Sequence, residues 1–165
     1  MKHNEGLIAT ERLILRRFRK GDFADLAHFA RDKMASNDAR YDSPWPTDGK
    51  GIKGALRVFM NDDAWFAVQL SNGPVIGFVA ANRTQIETVR SLGYAIRTDY
   101  QNRGYAYEAC TAVMALYKDK GITQFISTTA DCLEASVKLL KKLGFVEKEH
   151  LTGGEFAATR YEKAL

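Results

Sequence analysis

The chain has 165 residues, 45% of them hydrophobic and 27% charged, with a formal net charge of +4. That length fits one domain spanning residues 1–165, large enough for a sizeable core, and no apolar run approaches the ~18 residues of a membrane span. Cys110 and Cys132 lack CxxC spacing, which leaves a disulfide framework and a metal cluster both without support. The opening MKHNEGLIAT lacks a signal-peptide core, so cytoplasmic residence is the expectation.

In chain order, residues 11–19 alternate as an opening strand, with Leu13 and Leu15 on one face and Ile14 and Phe18 on the other. Arg16, Arg17, Phe18, Arg19 and Lys20 are the densest basic run, too short to argue nucleic-acid binding. Gly21 and Asp22 start a helix carrying Phe23, Leu26, Ala27 and Ala30 at helical spacing. The two prolines of YDSPWPTD, residues 41–48, forbid regular structure there. Thr47 or Asp48 caps a second helix running to about Met60. Residues 64–70 and 74–82 flank Ser71-Asn72-Gly73 as a hairpin, and residues 89–97 make a further strand.

The helix from residue 104 places Ala106, Ala109, Cys110, Val113, Met114 and Tyr117 on one stripe and stops at Gly121. Residues 122–129 are rich in β-branched side chains and read as a strand. Residues 134–143 are helical, with Val137, Leu140 and Leu143 inward and three lysines outward. Strands at 145–151 and 156–163 surround Gly153-Gly154.

The most informative stretch is QNRGYA, residues 101–106, between an apolar strand and an amphipathic helix. A helix N-terminus offers unpaired N–H groups and a positive dipole end, which suit a phosphate. Gly104 permits close backbone approach, Ala106 is small, and Gln101, Asn102 and Arg103 add donors. The other reading is an ordinary strand-to-helix connection capped by Asn102. Neither a G-x-x-x-x-G-K-[ST] loop nor a G-x-G-x-x-G fingerprint is present, which argues against ATP or a dinucleotide held in those ways.

QNRGYA fits the Q/R-x-x-G-x-G/A pattern of the GNAT N-acetyltransferase superfamily. GYAIRTDYQNRGYAYEA (93–109), TERLILRRF (10–18) and SVKLLKKLGF (136–145) resemble its ribosomal-protein N-terminal acetyltransferase branch, in the family's order. The resemblance implies an α/β acyl-CoA N-acyltransferase fold: a mixed, mostly antiparallel sheet flanked by helices, with a splayed central strand. It also implies acetyl transfer from acetyl-coenzyme A to a primary amine by direct attack in a ternary complex.

Carried over residue by residue, the backbone of Ile96 and Arg97 pairs with the pantetheine arm. The amides of Asn102, Arg103, Gly104, Tyr105 and Ala106 hold the pyrophosphate, and Gln101 braces the loop. Many family members place a Glu base where this chain has Ser91, and a Tyr acid where it has Leu140. The ribosomal branch has a serine matching Ser136, whose hydroxyl either protonates the leaving sulfur or caps the helix. Where that branch usually carries Asn, this chain has Leu133. Glu87 reads as a surface charge, and Asp42, Asp99 and Glu155 are further carboxylates to consider as base.

An α-amine, with a reference pKa of ~7.7–8 against ~10.4 for lysine, is less handicapped without a strong base. A peptide N-terminus is therefore the first acceptor expected, then a small-molecule amine. Tyr41 and Trp45 are candidates for shaping the acceptor mouth, whereas Trp65 reads as core. His3, His28 and His150 are scattered and support no nucleophile–base pair. The rival readings are a non-catalytic coenzyme-A-binding or sensing module and, on the charge alone, a ribosome- or RNA-associated protein. Membrane association is not expected, and the sequence is silent on homodimerisation.

Overall fold

The computed structural model describes residues 7–165. Eight strands form one sheet: β1 (Ile8–Ala9), β2 (Leu13–Arg16), β3 (Trp65–Leu70), β4 (Val75–Arg83), β5 (Val89–Ile96), β6 (Gln124–Ala130), β7 (Val146–Leu151) and β8 (Ala158–Ala164). Their spatial order is β1-β2-β3-β4-β5-β6-β8-β7, and every pairing is antiparallel except β5 with β6. Four helices flank it: α1 (Phe23–Ala35), α2 (Gly49–Asn61), α3 (Tyr105–Asp119) and α4 (Glu134–Lys142). This is the mixed, helix-flanked architecture that the resemblance implied.

The burial pattern follows from position. Residues Val75–Ala81 of β4 are buried without interruption, because helices cover both faces of that strand. β7 is exposed along its length and rich in charge, as suits an edge strand. On one face α1 and α2 enclose Phe18, Phe29, Ile52, Phe59 and Phe78. On the other, α3 and α4 cover Leu13, Leu15, Leu92, Ile96, Val113 and Leu140.

One local feature departs from the sequence expectations. β1 was not expected, since two residues carry no periodicity. Asp22 stands at the start of the first helix as its N-cap residue, in agreement with the sequence, and its side chain is buried and forked onto Arg16 at 2.8 Å twice. The basic run therefore does not present one face to solvent. Of the two candidate caps for α2, Asp48 serves, accepting from the amides of Lys50 and Gly51.

Candidate active site

The sheet opens between β5 and β6. Their parallel pairing covers only Val89–Ser91 against Gln124–Ile126, although both strands continue further. The Ser127 hydroxyl donates to the Leu92 carbonyl at 3.0 Å, just beyond the last paired residues. Past it the strands diverge around a cavity of about 770 Å³. Phe29 and Phe78 line it from the α1/α2 side, and Tyr105, Ala106, Ser136 and Leu139 from α3 and α4. The cavity thus lies between the two strands and is lined from both faces of the sheet.

Backbone groups of β5 face this gap. The Arg97 amide donates to Ile76 O at 2.8 Å, so odd-numbered residues of β5 are bonded to β4. Tyr94 and Ile96 consequently turn their N–H and C=O groups toward β6. The Arg97 amide is committed within the sheet. Its buried side chain forks onto Asp99 at 2.7 Å, and Nη1 lies 3.2 Å from His28 Nδ1. That fork holds the Asp99 carboxyl below its ordinary range.

After β5, a 3-10 turn at Thr98–Tyr100 leads into the Gly-bearing turn. Asp32 of α1 fixes it, accepting from the Thr98 amide at 2.9 Å and the Thr98 hydroxyl at 2.6 Å. Asn102 (φ 58°) and Gly104 (φ 82°) both adopt left-handed backbone. Gly104, not Asn102, is the residue that caps α3. No protein acceptor among the described residues takes the amides of residues 102–107. Gln101 Nε2 donates to Ile96 O at 2.8 Å, tying the turn to the end of β5. A ring of free amides at the positive end of a fifteen-residue helix fits a pyrophosphate.

Arg12, to which the sequence reading gave no role, clamps this turn from outside. Its Nε donates to Glu108 at 2.7 Å, Nη1 to the Arg103 carbonyl at 2.9 Å, and its guanidinium lies 4.6 Å from the centre of the Tyr105 ring. The Thr10 hydroxyl donates to the same carboxylate. Partial burial pushes the Glu108 carboxyl up, but these bonds outweigh it and hold it below the ordinary glutamate range.

Ser136 lies in the first turn of α4 and lines the cavity. Its Oγ is 2.8 Å from the hydroxyl of Tyr94, a residue the sequence reading placed only as strand. Leu133 forms a tight turn before α4, with Glu134 N donating to Cys132 O at 3.0 Å, and gives the helix no side-chain cap. Leu140 is wholly buried in the core and does not line the cavity. Ser91 and Glu87 do not line the cavity.

Asp42 and Glu155 do line it, together with Asp32, Asp38 and Lys33. Lys33 Nζ lies 3.3 Å from Asp42. Tyr41 borders the opening, its ring 4.7 Å from that of Phe156. Trp45 does not line it. It stands behind the wall, packed on Phe29 and Phe78 with ring centres 5.0 and 5.6 Å away. Trp65 stacks on Phe59 at 4.1 Å, in the core.

Other chemistries find no support among the described residues. No group of three His, Cys, Asp or Glu is placed to hold a metal. His3 lies outside the described residues. His150 contacts the buried Thr159, away from the cavity, and burial pushes the Cys110 thiol up. No helix among the described residues is long and apolar enough to cross a membrane.

Residues 12–146 match the acetyltransferase (GNAT) domain model, so the chain belongs to the GNAT acetyltransferase family. It is an acetyltransferase, and acetyl-coenzyme A is the donor that this family uses. Over 140 residues it is 26% identical to the uncharacterized N-acetyltransferase YnaD of Bacillus subtilis, covering 83% of this chain and 81% of that one. Among solved structures, a GNAT-family acetyltransferase from Bacillus anthracis superposes with a TM-score of 0.86 at 20% identity, covering 96% of this chain and 98% of that one. The RimL ribosomal L7/L12 alpha-N-protein acetyltransferase in complex with coenzyme A gives 0.83 at 17% identity, again covering 96% and 98%.

Proposed function

We propose that the described residues work as one domain that transfers acetyl from acetyl-coenzyme A to a primary amine by direct attack. The observation that carries this reading is the cavity between β5 and β6, with free amides at its α3 end. In this reading the amides of Asn102, Arg103, Gly104, Tyr105 and Ala106 hold the pyrophosphate. The gap-facing backbone of Tyr94 and Ile96 receives the pantetheine arm. The amine enters from the α1/α2 face, past Phe29 and Phe78.

The acceptor side has its own charge. Asp32, Asp38, Asp42 and Glu155 outnumber Lys33, so this wall is acidic in a chain of net charge +4. An amine on a molecule with further positive charge fits such a wall better than one on a neutral or acidic molecule. A basic peptide N-terminus and a small polyamine both satisfy this. Asp42 and Glu155 are the expected carboxylates that a departing amine proton would meet, and cytoplasmic residence is the setting we assign.

The test is thiol release from acetyl-coenzyme A with basic, neutral and acidic N-terminal peptides, a polyamine and an aminoglycoside. Cationic acceptors are expected to give the highest kcat/KM. Equal rates with basic and acidic peptides would remove the charge argument. No release with any amine, while coenzyme binding persists in calorimetry, would favour the non-catalytic binding module. Gly104→Val tests the cradle separately. The left-handed backbone opposes a branched residue, and a Cβ would sit 3.3 Å from Arg12 Nη2. Loss of coenzyme binding is expected; retained binding would sink the cradle.

A further inference from the structure

The acceptor side of the cavity holds an amine of the chain's own. Phe29 and Lys33 stand one turn apart on α1, and both line the cavity. Among the described residues, two lysines do so. Lys142 stands on the α3/α4 side, with Nζ 4.6 Å from the centre of the Tyr107 ring. Lys33 stands on the α1 side, beside the phenylalanine past which the proposed acceptor enters. Its side chain is 20% exposed, so most of its stem is packed against the wall. Nζ lies 3.3 Å from an Asp42 carboxylate oxygen.

The consequence rests on the function proposed above. There an amine enters past Phe29 and gives up its proton toward Asp42 or Glu155. Lys33 and Asp42 already stand in that relation: a primary amine on a flexible four-carbon stem, with a carboxylate beside it. The basicity of lysine opposes the reaction. With a reference pKa of ~10.4, well under about a thousandth of such an amine is neutral near pH 7. Tethering acts the other way. Effective molarities of well-oriented intramolecular reactions reach at least about 10⁵ M, enough to offset that fraction. When no external amine is bound, a loaded coenzyme has Lys33 as the amine on its acceptor side.

We propose that Lys33 is a self-acetylation site, modified by the acetyl-coenzyme A bound to the same chain. Neutral Nζ attacks the thioester carbonyl carbon. The N–C bond forms, the C–S bond breaks, and its electron pair leaves on sulfur. The proton lost by nitrogen passes to Asp42 and through solvent to the thiolate. Protons balance: the amine loses one and the sulfur gains one. The products are Nζ-acetyl-lysine and coenzyme A. The new amide carries no charge, so the reaction removes the cation that faces Asp42.

The test incubates the whole protein with deuterium-labelled acetyl-coenzyme A and no amine, then follows thiol release and peptide mass spectra. One equivalent of thiol per chain is expected, with the label on Lys33. The rate should be first order and independent of protein concentration, as a reaction within one chain requires. Excess desulfo-coenzyme A, which occupies the coenzyme site without an acetyl group, should suppress it. Lys33→Arg keeps a cation beside Asp42 and should lose both the label and the thiol equivalent, with its melting temperature unchanged.

Label spread over surface lysines at a rate that desulfo-coenzyme A leaves untouched would mean chemical acetylation in solution and would overturn the site. So would a rate that rises with protein concentration, or a thiol equivalent that survives in Lys33→Arg. An unlabelled Lys33 in an enzyme that acetylates added amines would overturn self-acetylation alone. A protein that releases no thiol with any amine and leaves Lys33 unlabelled would instead overturn the function on which the site rests.

Discussion

At the residue scale, the turn proposed to receive the coenzyme depends on a side chain far away in sequence. Arg12 reaches across to Glu108, to the Arg103 carbonyl and to the Tyr105 ring. Arg12→Met removes the clamp without touching the free amides. Coenzyme Kd should then rise about tenfold, the worth of one or two charge-assisted hydrogen bonds, while kcat at saturation changes little. Calorimetry and initial rates check it. The clamp also carries a pH signature. Glu108 is held below its ordinary pKa in the folded protein, so its contribution is present at neutral pH and is lost as acid protonates it. Coenzyme affinity should be flat from pH 8 down to pH 5 on this account, then fall below about pH 4. Arg12→Met should remove that acid limb.

At the element scale, the two helices beside the cavity begin differently. α3 begins at a left-handed glycine and leaves a row of amides open, as an anion site requires. α4 begins after Leu133, whose side chain caps nothing, so its first turn is under-satisfied. Leu133→Asn supplies the missing acceptor. It should stabilise the protein by about 1 kcal/mol, a rise of roughly 2–4 °C in Tm for a chain of this size. Thermal unfolding checks it, and an unchanged Tm would mean that the tight turn at Leu133 keeps a side-chain oxygen away from the helix amides.

At the scale of the whole molecule, the splay between β5 and β6 opens a cavity lined from both faces of the sheet. Gly77 helps fix it: a Cβ there would collide with the Ala95 carbonyl, so β4 and β5 pack closely next to the opening. The wall on the α1/α2 side is acidic, whereas the α3 side offers N–H donors. Opposite ends thus suit opposite charges, and salt should act on acceptor binding. KM for a polyamine should rise several-fold between about 0.05 and 0.5 M NaCl, while KM for a neutral peptide N-terminus stays nearly constant. Parallel salt curves for the two acceptors would show that the acidic wall makes no contact with the acceptor.

The sequence by itself determined the order of elements, the Gly-bearing turn before α3 and the membership of an acetyl-coenzyme-A-using family. Those are local signals. A 3.6-residue stripe over Ala109, Cys110, Val113 and Tyr117, a glycine ahead of a helix and an Asn-Gly turn are each read within one window of chain. Only the tertiary structure decided which groups meet. Arg12 and Glu108 are 96 residues apart, and Tyr94 and Ser136 are 42 apart. Asp22 starts the first helix as its spacing implies, but only the packed chain buries its side chain against Arg16. Trp45 stood in a loop that suggested a mouth, yet it packs behind Phe29 and Phe78. Periodicity records which face of an element is apolar. Which partner that face finds depends on strand order and on where the sheet splays, and both are fixed only when the whole chain packs.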